Sequence, residues 1–166
     1  MLELKDEDFN CIKEDNSDEE NEKQWKITKK VLDNFSEYLE SKKLHKKTAV
    51  RYVNMMVYFI MDYLFVYDDA CSIFEITDDT IKRFLGNWYI RKNWSPNIKE
   101  INKFLISIKH FFTFLHTHNF ITKEALDEIK AVCKNKEWFE MRLTTYFKSK
   151  DDDFYEWLQD YNYDAI

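Results

Sequence analysis

Residue types that perform chemistry are present in this chain, but few are spaced to perform it together. His116 and His118 lie two positions apart. On a helix that spacing sends them to different faces, whereas a zinc-binding pair needs i, i+4. The paired acids Asp68-Asp69 and Asp78-Asp79 read as loop and helix-cap residues rather than as a general acid and base. Cys11, Cys71 and Cys133 are far apart with no C-x-x-C pair, so they read as reduced thiols. A single glycine, Gly86, and a single proline, Pro96, exclude a P-loop, a dinucleotide fingerprint and a nucleophile elbow, each of which needs several glycines. No catalytic residue, cofactor or metal is expected, and the chain does not read as an enzyme. What remains is basic. In "WSPNIKEINKFLISIKHFFTFLHTHNF", residues 94–120, lysines interrupt apolar residues at helical spacing. Such a pattern buries one face and offers another to an anion.

Charge is segregated along the chain. Residues 1–24 hold ten acids and three bases, residues 151–166 hold six acids and no base, and residues 25–150 balance at +7. The formal net charge of −6 thus hides a basic body between acidic ends. Such a body suits an anionic partner, with which an acidic end competes in cis.

The elements that must position these charges are helices. At 166 residues, with 45% hydrophobic content, the chain buries a core without disulfides. Scarce glycine disfavours tight hairpins. Residues 1–23 are acidic, lack periodicity and are expected to be mostly disordered. A helical domain over 24–148 follows, then an acidic aromatic segment over 149–166.

The first helix, about 24–42, carries the stripe Val31, Leu32, Phe35, Tyr38 and Leu39. The second runs from about Lys46 to Val66 with Val50, Val53, Val57, Ile60 and Leu64 on one face, widened by Met56 and Tyr63. Its apolar run is interrupted by Asp62 and reads as too polar to span a bilayer, so the chain is expected to be soluble and cytoplasmic. Ile73, Phe74 and Ile76 pin the next loop to the core. Thr77 or Asp78 caps a third helix with Ile81, Phe84, Leu85 and Trp88, in which Gly86 implies close packing. Ser95 and Pro96 suit the N-cap and first position of a fourth helix, which buries Ile98, Ile101, Leu105, Ile108, Phe112 and Leu115 and stops at Asn119. Thr122 caps a fifth helix, or a broken pair, reaching Phe147. Phe154, Trp157, Leu158 and Tyr161 recur at helical spacing in the tail.

Taken in order, "NFSEYLESKKLHKKTAVRYVNMMVYFI", "ITDDTIKRFL" and "INKFLISIKHFFTFLHTHNFIT" resemble the core-binding, or SAM-like N-terminal, domain of tyrosine recombinases and phage integrases. The matching features are Tyr38-Leu39, Lys47-Thr48, Ile76-Thr77 with Phe84-Leu85, and Ser107 through Leu115, across roughly residues 27–125. The resemblance implies an all-α bundle of four to five helices, here with an added C-terminal helix. It also implies that the second and fourth helices face duplex DNA. By matching position, the DNA-binding residues would be Lys47, Thr48 and Arg51 on the second helix, and Asn102, Lys103, Lys109 and His110 on the fourth. Lys and Arg neutralise phosphates, a hydroxyl at a helix start donates to one, and Asn pairs with an adenine edge. Two features depart from the family pattern. The middle of the second helix reads Asn54, Met55, Val57 and Tyr58 where arginine is common, and Ser95-Pro96 lies two residues further from the "INK" segment. The 41 residues after 125 contain one arginine, Arg142, too few for the catalytic domain of a recombinase. The expectation is a non-catalytic DNA-binding module associated with integration or recombination. The alternative is a protein–protein adaptor that uses the aromatic surface and acidic C-terminal helix, or self-association through them. The tail itself has three readings: docked on the bundle, offered to a partner's groove, or laid over the basic face as a DNA mimic.

Overall fold

Lys43 and Asn119 both adopt left-handed backbone, with φ of 60°, and each is the second residue past the end of a long helix. The computed structural model describes residues 18–67, 72–149 and 151–159, and it is all-helical. Seven helices lie among the described residues. They are α1 (Asp18–Ser41), α2 (Lys46–Tyr67), α3 (78–92), α4 (Ile98–Thr117), α5 (Lys123–Lys134), α6 (Lys136–Lys148) and α7 (Asp151–Gln159). Helix α1 begins six residues earlier than its apolar stripe suggested, so residues 18–23 are helical. Residues 1–17 and 160–166, with the Tyr161 expectation, lie outside the described residues.

The caps follow local chemistry. Thr77 opens α3 through a reciprocal capping box with Thr80, and Thr122 accepts from the Ala125 N–H to open α5. The fourth helix corrects the expectation. Its N-cap is Asn97, whose Oδ1 accepts from the Glu100 N–H at 3.0 Å, not Ser95. Asn accepts as well as Ser at this position, and it directly precedes the first helical residue. The expected fifth helix is a broken pair, interrupted at Asn135, which caps α6 by accepting from the Trp138 N–H.

Helix α4 forms the centre. Ile101, Leu105, Ile108, Phe112 and Leu115 are buried as expected, together with Phe104, Phe111 and Phe114. Helices α1, α2, α5 and α6 pack around it, and α3 lies against α2, α5 and α6. Helix α2 buries Met56, Ile60, Tyr63 and Leu64 as expected, but its inward face is rotated away from two of the valines. Val50 and Val57 are exposed, while Ala49, Tyr52, Met55, Met56, Phe59, Ile60, Tyr63 and Leu64 are buried. Larger side chains remove more apolar area from water, so the aromatic and methionine stripe wins the core over the smaller valines. Lys46–Tyr67 is long and apolar enough in length and composition to cross a membrane. Here that apolarity serves the core of the bundle.

Two widened π-helical turns, Tyr58–Leu64 in α2 and Phe84–Trp88 in α3, meet across an aromatic cluster. The Phe59–Phe84 ring centroids lie 4.7 Å apart, Tyr63–Phe84 5.0 Å, and Phe84–Phe104 5.3 Å edge-on. Each such pair adds about 0.5–1.5 kcal/mol beyond burial, which offsets the poorer hydrogen bonding of a π turn. Within the same α3 turn, Gly86 lies under Trp138. A Cβ there would come within 2.5 Å of the indole, which explains the helical glycine.

The C-terminal α7 docks on α6 through a closed joint. Arg142, 4% exposed, donates from Nε to the Gly86 carbonyl at 3.2 Å and from a terminal guanidinium nitrogen to the Trp157 carbonyl at 3.1 Å. Trp157 returns an indole N–H bond to the Arg142 carbonyl at 3.1 Å, with the guanidinium 3.9 Å over its ring. Of the three readings of the tail, docking on the bundle describes residues 151–159.

Candidate nucleic-acid interface

The outward face of α2 is built by spacing. Lys47, Arg51, Asn54 and Tyr58 recur at i, i+4, i+7 and i+11, which aligns them in one stripe about 16 Å long. Lys47 and Arg51 are exposed, and Thr48 is half-buried beside them. His45 starts the helix, its Nδ1 accepting from the Lys47 N–H at 3.3 Å.

The four residues expected on α4 divide into two flanks. At about 100° per residue, Lys103 and His110 fall together, and Asn102 and Lys109 fall together roughly 100° away. The Lys103–His110 flank adjoins α2. His110 stacks on Tyr52 with centroids 5.4 Å apart, and the Arg51 guanidinium lies 5.8 Å from the same ring. One residue along α4 from Ile106, the buried Ser107 hydroxyl donates to the Tyr52 carbonyl at 2.8 Å, which fixes the two helices in register. Lys109 is exposed on the other flank, close enough to Cys133 to act on its thiol. Burial pushes that thiol up to about 12 against the pull of Lys109, so it stays protonated and unreactive. Asn102 is half-buried, and its Oδ1 is enclosed with no hydrogen-bond partner among the described residues, so that oxygen does not reach an adenine amino group. The structure therefore brings Lys47, Arg51, Lys103 and His110 to one side and leaves Asn102 and Lys109 on another.

The charge states are specific. Burial, and secondarily Lys109, holds the His110 imidazole below its ordinary value of 6.5, so it is neutral at pH 7 and is no phosphate-binding cation there. Lys103 pairs with Glu100 one turn away, and both are more than a third exposed. Such a pair is worth under about 1 kcal/mol, so Lys103 can exchange the carboxylate for a phosphate at small cost.

Between α2 and the start of α4 lies an open groove of about 480 Å³. Lys47, Val50, Arg51 and Asn54 form its α2 wall, Met55, Tyr58, Tyr89 and Phe104 its floor, and Asn93 and Glu100 its far end. Asn93 Nδ2 donates to the Tyr58 hydroxyl at 3.4 Å. Burial raises the Tyr58 phenol, the Asn93 bond opposes this, and Asp62 adds to the rise. Tyr89 is pushed up to about 12 by burial, then by Glu100 and Tyr58. Both phenols stay protonated at neutral pH and remain hydrogen-bond donors.

Tyr89, Asn93, Glu100 and Phe104 were not legible as site residues. They come from α3, its exit loop and the inner side of α4, and only packing brings them to the Lys47–Arg51 stripe. Asn54 and Tyr58 carried a signal, because they continue that stripe at helical spacing. No protein-family model, curated protein or solved structure matches this chain. The site is therefore read from its own geometry.

Proposed function

We propose that this protein is a non-catalytic DNA-binding module of the integrase core-binding type, associated with integration or recombination. One observation supports the reading above others. Lys47 and Arg51 stand exposed on one stripe of α2, next to the flank of α4 that carries Lys103, with the two helices locked by the Ser107–Tyr52 bond. Cations on rigid neighbouring helices are the arrangement that tracks a phosphate backbone. Recognition would rest on phosphate positions and shape, because His110 is neutral and the Asn102 Oδ1 is enclosed.

The test is fluorescence anisotropy of a labelled short duplex at about 50 and 200 mM salt. Binding should weaken steeply with salt. Replacing both Lys47 and Arg51 by Ala should flatten the log–log salt slope by about 2, one for each phosphate that no longer meets a cation. No shift at the lower salt overturns the reading. A second reading, a protein-binding adaptor, is favoured by the exposure of Val50 and Val57 on α2 and of Trp94 after α3. It takes the lead on that same negative result.

A further inference from the structure

The groove does not have the shape that fits a duplex. An element that reads double-stranded DNA is convex and enters a groove of the nucleic acid, whereas here the protein supplies the concavity. Its volume of about 480 Å³ lies within the range of sites that enclose small organic groups, roughly 300–1,000 Å³. Yet it runs along α2 for about 16 Å, too long for a lone anion. Its composition is ordered along that length. Lys47 and Arg51 stand at one end, and toward the other lies the half-buried ring of Tyr58, with the buried rings of Phe104 and Tyr89 packed behind it. The protonated Tyr58 and Tyr89 hydroxyls, the Asn54 and Asn93 amides and the Glu100 carboxylate supply donors and acceptors around these rings. Trp94, the residue after Asn93, is 104% exposed, so its whole indole face is free to stack.

We infer that the groove takes a short single-stranded stretch of DNA, an inference that rests on the nucleic-acid reading above. One base lies against the half-buried Tyr58 ring, and a neighbouring base stacks on Trp94. The connecting phosphates run past Arg51 toward Lys47. Aromatic platforms beside a line of cations bind single strands because every base has a π face and every nucleotide a negative charge. Glu100 does not oppose this placement. It sits at the end away from Lys47, where a base and not a phosphate lies, and its carboxylate accepts from an exocyclic amino group.

The experiment titrates the full chain with a labelled short oligodeoxynucleotide as a single strand and, separately, as its duplex. It follows both anisotropy and intrinsic tryptophan fluorescence. The single strand should bind and quench tryptophan emission. Trp94→Ala should weaken single-strand binding about tenfold, remove most of the quench and leave duplex affinity unchanged. Arg51→Glu should weaken both ligands, and Lys136→Ala, an exposed change on α6, neither. Trp94 is wholly exposed, so its removal does not threaten the fold. If the duplex binds but the single strand does not, or Trp94→Ala leaves single-strand binding intact, the groove assignment is wrong while the duplex reading stands. If neither ligand binds, both fall together.

Discussion

Among the described residues, Arg51 and Arg142 lie over aromatic rings, and their surroundings separate their roles. Arg142 is almost fully buried, 3.9 Å over Trp157, and bonds the Gly86 and Trp157 carbonyls. Arg51 is exposed, 5.8 Å from Tyr52, at the rim of an open groove. The tryptophans repeat the contrast: Trp157 is 4% exposed and Trp94 104%. Burial with partners turns a guanidinium into a structural clamp, whereas the same group at a rim keeps its charge for an incoming anion. Residue type alone does not tell a joint from a site.

Replacing each arginine by Ala tests the contrast most sharply. Arg142→Ala removes two buried hydrogen bonds, a cation–π contact and a packed stem, and should cost about 3 kcal/mol. In thermal denaturation that corresponds to a fall in Tm of roughly 6–12 °C. Arg51→Ala should change stability by less than about 0.5 kcal/mol while weakening DNA binding. Equal Tm values for the two variants would erase the distinction.

Gly86→Ala probes the closed region alone. The added methyl meets the Trp138 ring, and overpacking of this kind costs about 1–3 kcal/mol, partly offset by the better helix propensity of Ala. Combining it with Trp138→Leu should recover stability relative to the sum of the single changes, read as a double-mutant cycle in urea. Strict additivity would show that the indole is not what the methyl strikes.

The smallest effect belongs to the open region and is seen through pH. An unfolded His110 takes up a proton near 6.5, whereas the folded imidazole, desolvated against Tyr52, resists it. The unfolded state then binds more protons, so stability rises with pH across that window. His110 contributes fully above about pH 6.5 and loses that contribution as pH falls through 6.5 toward its lowered folded value. His110→Gln should flatten the dependence of the urea midpoint on pH below 6.5, relative to the unmodified chain. An unchanged slope would place the imidazole in water.

Much of the helical architecture was legible because it depends on neighbours in the chain. The stripes Val31–Leu39 and Ile101–Leu115, the Thr77 and Thr122 caps and the left-handed Asn119 follow from periodicity and short-range hydrogen bonding. The choice of Asn97 over Ser95 was misread because both are good caps, and only the path of the entering chain selects between them. The inward face of α2 was misread at Val50 and Val57 because its valines and its aromatics each form a helical stripe. Which stripe is buried depends on Phe84, Trp88 and Phe104, which pack from other helices.

By itself, then, the sequence determined an all-helical chain, its principal caps, its basic middle between acidic ends, and a Lys47–Arg51 stripe on one face of α2. These are set by composition and by interactions a few residues long. Tertiary structure alone decided that Tyr89, Asn93, Glu100 and Phe104 close a groove beside that stripe, and that Arg142 is tied to Gly86 and Trp157. Those outcomes depend on residues far apart in the chain, 56 positions for Arg142 and Gly86, whose meeting is fixed by how bulky side chains fill a shared core.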